Sequence, residues 1–127
     1  MIELRFHAPG PAVSMNTLTR GQGRVAHRTM ARWRNAVERY LVDDFTLEVA
    51  ARRLAPRAVD VHLTIAFAEQ RRRDPHNWTA TLKPCVDACV RAGIVPDDDP
   101  TWVSTTEPTL VVDPSLTCIL RITDREV

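Results

Sequence analysis

Lysine is almost missing from this 127-residue chain. Sixteen of its seventeen cations are arginine, and Lys83 stands alone. Nucleotide bias is enough to make a chain arginine-rich. A single exception inside the densest motif still marks a position that suits a compact point charge rather than a planar fork. Long apolar runs are missing too. None approaches the ~20 residues needed to span a bilayer, and residues 1–30 carry no basic-then-apolar leader pattern. The expectation is a cytoplasmic protein without membrane partners. Cysteine is scarce and odd in number: Cys85, Cys89 and Cys118. An odd count argues against a closed disulfide framework. Zinc would need two further ligands at sensible spacing, and none is evident. Buried, reduced core cysteines are therefore expected. Internal repeats, low-complexity tracts and linkers are also absent. Length and a 44% hydrophobic content fit one domain over residues 1–127.

Net charge is small, at +1, but it is unevenly spread. Residues 1–42 hold seven arginines against Glu3 and Glu38, a surplus of five. Residues 43–127 hold ten cations against fourteen acids, a deficit of four. A basic N-terminal third followed by an acidic remainder is compatible with nucleic-acid binding, and equally with a solvated helix face.

Periodicity divides the chain. Residues 2–7 alternate, with Ile2, Leu4 and Phe6 on one side, as in a half-buried strand. Pro9-Gly10-Pro11 ends it. Residues 12–28 read as a polar, basic, mobile connection holding Ser14, Asn16, Arg20, Arg24 and Arg28. From Thr29 the period becomes helical, with Met30, Trp33, Val37, Tyr40 and Leu41 as the stripe and arginines outside. Apolar character continues to Pro56, as one helix or as two with a break near Asp43-Asp44. Val59 to Ala68 alternates again, as in a core strand. A short turn over 78–82 after an Asn77 cap, then a helix from Pro84, is expected next. Leu82, Cys85, Val86 and Cys89 would be buried, with Lys83 and Asp87 on a neighbouring face. Gly93 fits the helix stop. Two strands, in 103–112 and 116–122, close the chain. The reading is α+β in the order β-α-β-α-β-β, a small mixed sheet packed against two main helices.

Chemistry concentrates in residues 71–99. Arg71, Arg72 and Arg73 precede Asp74, Pro75, His76 and Asn77, and Asp97, Asp98 and Asp99 follow Gly93. Phosphodiester hydrolysis needs cations for phosphate and carboxylates for a divalent ion. Magnesium prefers oxygen ligands and keeps several waters. Asp74 and one of Asp97–Asp99 are natural ligands, and His76 is a softer one that tolerates manganese. Lys83 is placed to bind phosphate. Each has a bland alternative: a turn at Asp74, a solvated acidic loop at 97–99, an exposed helical pair at Lys83 and Asp87. Trp33, Trp78 and Trp102 are either base-stacking platforms or packing.

This pattern resembles the RusA-type Holliday junction resolvases, endodeoxyribonucleases common in phages and prophages. The family pattern is an arginine-rich lead-in, Asp-x-Asp-Asn, a helix with Lys and then Asp four residues on, a Gly, and a later Asp pair. Here it reads Arg72-Arg73-Asp74-Pro75-His76-Asn77, Lys83, Asp87, Gly93 and Asp97-Asp98. Phe6, Pro9-Gly10, Pro11, Ser14 and Asn16 match the family's opening. Trp33-Arg34 with Val37 match its first helix. The resemblance implies a RusA-like fold and a magnesium-dependent homodimer that resolves four-way junctions in DNA recombination and repair. It implies Asp74, Lys83 and Asp98 as catalytic residues, and Asp74 and Asp98 as metal ligands. Asp97 and His76 stand as further candidate ligands. Asn16, Arg20, Arg24, Arg28, Arg71, Arg72 and Arg73 would contact DNA. Two departures are visible. His76 stands where the family most often has Asp. The gap from Asn77 to Lys83 is about three residues longer than usual, nearly one helical turn. A nuclease acting on forks or flaps, a non-catalytic junction-binding protein and, more distantly, a structural zinc domain are the alternatives.

Overall fold

A computed structural model describes residues 1–19 and 23–125. Among the described residues, five strands and four α-helices make one small α+β unit. Strand β1 (Ile2–His7) is followed by α1 (Met15–Thr19), α2 (Gly23–Asp44) and α3 (Thr46–Leu54). Strand β2 (Val59–Phe67) leads to a 3₁₀ helix (Pro75–Thr81) and α4 (Leu82–Ala92). Strands β3 (Val103–Thr105), β4 (Thr109–Val112) and β5 (Thr117–Asp124) complete the chain.

The sheet is mixed. β5 lies between β1 and β2 and is antiparallel to both. On its other side β2 pairs in parallel with β3 through Val59–Val61, and with β4 through Thr64–Phe67. Alternation decides which face is buried. Ile2, Leu4, Val61, Leu63, Ile65, Leu120 and Ile122 enter the core with Trp33, Val37 and Leu41 of α2. The sheet's other face carries Glu3, Asp60, His62 and Arg121, which are not buried. α4 packs on α2, and Arg91 Nε donates to Glu38 Oε2 at 2.9 Å across that contact.

Several expectations change. Besides two main helices, α2 and α4, the described residues include the shorter α1 and α3, and the strand read in 103–112 is two short strands divided by Thr106-Glu107-Pro108. The expected loop over 12–28 is largely helical, since α1 and the start of α2 lie there. Its apolar residues are few and are interrupted by Gly21 and Gly23. Val13, Ala26 and Ala80 nevertheless form a second small core with Leu18 and Met30 against them. The helical run does break near Asp43-Asp44, at Phe45. The turn over 78–82 is a 3₁₀ helix from Pro75, and α4 starts at Leu82, with Pro84 third in its first turn, where no N–H is needed.

The three cysteines are buried and free. Burial pushes the Cys89 thiol up to about 12 and the Cys85 thiol well above its ordinary value. Both therefore stay protonated and inert. Among the described residues, no helix is long and apolar enough to cross a membrane.

One ion pair ties α3 to the last strand. Arg52, only 6% exposed, lies 2.7 Å from Asp124 Oδ1, and Arg57 lies 3.0 Å from Oδ2. Burial raises the Asp124 carboxyl, but hydrogen bonds and charge from Arg52 and Arg57 outweigh it and hold it below its ordinary value. A lowered folded value means stability present above the unfolded value, about 4, and lost as pH falls through the folded one. Thermal unfolding at stepped pH should therefore show a flatter acid limb in Asp124→Asn than in wild type. Parallel limbs would show that the pair contributes nothing to acid stability.

Candidate active site

The site begins where β2 ends. Arg73 lies over the Phe67 ring, with its guanidinium carbon 3.8 Å from the centroid, and its Nη1 donates to Glu69 O at 3.0 Å. Trp78 meets Phe67 edge-on at 4.9 Å. These contacts fold the arginine segment back on the strand end and leave Arg71 and Arg72 exposed. The chain does not stay extended past Asp74, because Pro75 opens the 3₁₀ helix. Asp74, rather than Asn77, is its cap: the carboxylate accepts the His76 N–H at 3.1 Å. Asp74 and His76 therefore do not project as alternate residues of one strand. His76 Nδ1 instead faces Glu107 Oε1 at 3.6 Å.

Two links strap the N-terminal segment to this helix. Thr81 Oγ1 accepts the Val13 N–H and donates to the Val13 carbonyl, both at 2.8 Å. The Asn16 N–H donates to Asn77 Oδ1 at 3.3 Å. Asn16 is thus brought beside the Asp74–Asn77 turn. Arg24 and Arg28 are exposed one turn apart on α2. Arg20 lies outside the described residues.

α4 carries Lys83 and Asp87 beside its buried stripe, with Nζ 3.7 Å from Oδ1. Gly93 ends it in the left-handed region at φ +94°. The Ile94 N–H returns to Cys89 O at 2.9 Å and the Gly93 N–H to Val90 O at 3.1 Å, a Schellman closure. Arg53 Nη2 donates to the remaining Ala92 carbonyl at 2.7 Å. Ile94 and Val95 are buried, which anchors the acidic triplet after them. Its members differ. Asp97 Oδ1 accepts the Asp98 N–H at 2.7 Å, and Asp99 Oδ1 accepts the Thr101 N–H at 2.9 Å. Asp98 lines a cleft of about 370 Å³ between α4 on one side and β3 with the connection after it on the other.

That cleft brings Lys83, Asp87, Asp98 and Glu107 together over Leu82, Val86 and Val103. Glu107 was not legible as a site residue. Its only signal is a polar break, Ser104-Thr105-Thr106-Glu107-Pro108, between apolar Val103 and Leu110. The cleft's carboxylates are the hard oxygen donors that magnesium prefers. Among the described residues no three His, Cys, Asp or Glu side chains group closely enough to hold one ion. Magnesium needs only one or two carboxylates, with water completing its shell, so the donor chemistry fits. Trp33 is buried, its Nε1 donating to Pro11 O at 3.0 Å, and belongs to the core. Trp78 and Trp102 are half-buried against the same core.

No family model matches the chain. No curated protein matches it by sequence.

Proposed function

We propose that this protein is a magnesium-dependent, structure-selective DNA endonuclease of the RusA type that resolves four-way junctions by paired nicks. The observation that supports the reading is the cleft lined by Lys83, Asp87 and Asp98, on the α4–Gly93–triplet segment that also carries the resemblance. Asp98 would hold the ion from the cleft; Asp74, which the resemblance pairs with it, does not line that cleft. When bound, magnesium polarises a phosphoryl oxygen and supplies an activated water. Lys83, oriented by Asp87, binds a phosphate oxygen and offsets the charge that develops there. Arg71 and Arg72, with Arg24 and Arg28, neutralise backbone phosphates and set register without reading bases. A four-way junction has approximate two-fold symmetry, so a C2 homodimer presents two sites in matching geometry.

The test is cleavage of a labelled four-way junction with magnesium or manganese, beside fork, flap and linear duplex substrates. Paired symmetric nicks in the junction are expected. Preferential cutting of forks or flaps would replace the junction specificity while keeping the nuclease. Tight, salt-sensitive binding with no product at any metal concentration would favour a non-catalytic junction-binding protein. His76, in place of the usual Asp, is the observation on that side.

His76→Asp is expected to retain or raise magnesium-supported cleavage, because it restores a hard oxygen donor. Initial rates at matched magnesium would check this. A complete loss of cleavage in a folded protein would give the imidazole a role of its own.

A further inference from the structure

We propose that Glu107 is a working carboxylate of the cleft and that His62 is the residue that positions it. This rests on the nuclease reading and deepens it by adding a residue that the RusA-type pattern does not contain.

The argument starts from a mismatch in the sheet. β2 pairs with β3 as far as Val61 opposite Thr105, and resumes with β4 at Thr64 opposite Thr109. Between those points two residues, His62 and Leu63, oppose three, Thr106, Glu107 and Pro108. The extra residue interrupts the ladder, as in a β-bulge. Backbone pairing to β2 therefore fixes both ends of this connection but not its middle.

His62 spans the gap. One ring nitrogen, Nδ1, bonds Thr106 Oγ1 at 2.8 Å, and Nε2 bonds Thr109 Oγ1 at 2.8 Å. A neutral imidazole donates at one nitrogen and accepts at the other, and a threonine hydroxyl can take either part. Both bonds can therefore form in either tautomer. The two threonines bracket Glu107 and Pro108. Pro108 is buried and has a fixed φ. With both flanks held, Glu107 lines the cleft with Lys83 and Asp98 and faces His76 at 3.6 Å. An imidazole that merely packed on the sheet would have no need of two short bonds either side of that carboxylate.

The experiment compares wild type with Glu107→Gln, His62→Ala and His62→Gln. Three quantities are read: manganese affinity by calorimetry, kcat and KM for junction cleavage, and amide hydrogen exchange across residues 105–109. Glu107→Gln should weaken manganese binding and kcat by about tenfold or more, on the scale of removing a supporting group at a metal site. His62→Ala should speed exchange at 105–109 and lower manganese affinity and kcat about tenfold, with junction KM unchanged. His62→Gln should recover most of the loss, because an amide also offers one donor and one acceptor. If wild type cleaves and binds manganese but Glu107→Gln and His62→Ala do the same, the inference falls and the nuclease stands. A His62→Gln protein as impaired as His62→Ala would also overturn the positioning role. Wild type that neither binds manganese nor cleaves would remove the nuclease reading itself, and the role of Glu107 with it.

Discussion

Replacing Asp98 with Asn is expected to lower junction cleavage by about 100-fold or more while leaving junction binding nearly unchanged. The two halves have different causes. Binding is dominated by cations on phosphates, and one acid fewer near DNA does not weaken it. On the proposed reading, cleavage would depend on a carboxylate in the cleft, and the amide keeps its shape but loses the charge that would hold a divalent ion. The neighbours supply an internal control. Asp97 and Asp99 use a side-chain oxygen to accept the Asp98 and Thr101 N–H groups. An asparagine oxygen accepts the same bonds, so Asp97→Asn and Asp99→Asn should keep both turns and most of the activity. Gel-resolved cleavage and mobility-shift binding of the three variants would check this. Equal damage from all three would mean that the net charge of the loop matters rather than one placed carboxylate. Full activity in Asp98→Asn would move the metal to other oxygens, with Asp74 and Asp87 the next to change.

What was legible in the sequence was what local chemistry decides. Ile2, Leu4 and Phe6 alternate, and β1 forms. Val59 to Phe67 alternates, and β2 forms. Gly93 follows a helical stripe, and α4 stops there. The arginine segment, Lys83 and the acidic triplet could be found because they are compressed into residues 71–99. What was not legible depends on partners distant in sequence. The start of α2 has only Ala26 as a buried residue before the expected boundary, and a lone alanine gives no period. It is held by Val13 and Ala80, which no window around residue 26 contains. Thr81 looks like an ordinary cap, yet its hydroxyl is spent on Val13 and α4 begins without a side-chain cap. Glu107 is the clearest case. It lines the cleft because β3 and β4 both pair with β2, and nothing near residue 107 encodes that pairing.

Gly93→Val is expected to cost roughly 2–3 kcal/mol, with contributions from the backbone and from a neighbour. At φ +94° a β-branched residue is strained by about 1–2 kcal/mol or more. A Cβ there would also collide with the Arg53 side chain. Moving Arg53 removes its hydrogen bonds to the Ala92 carbonyl, worth about 1 kcal/mol. Chemical denaturation would measure the total, and a cycle with Arg53→Ala separates the parts. If the collision matters, Gly93→Ala should cost less in the Arg53→Ala background than in wild type. Equal costs would leave backbone strain as the whole effect. The position has a functional reading as well. Gly93 turns the chain out of α4, Ile94 and Val95 anchor it, and Asp98 lies five residues beyond. A variant that still folds but turns differently would deliver the triplet to another place. Cleavage by Gly93→Ala, measured well below its unfolding transition, should then fall further than the lost folded fraction accounts for. If activity tracks the folded fraction alone, Gly93 serves stability, and the aim of Asp98 is set by the buried Ile94-Val95 pair.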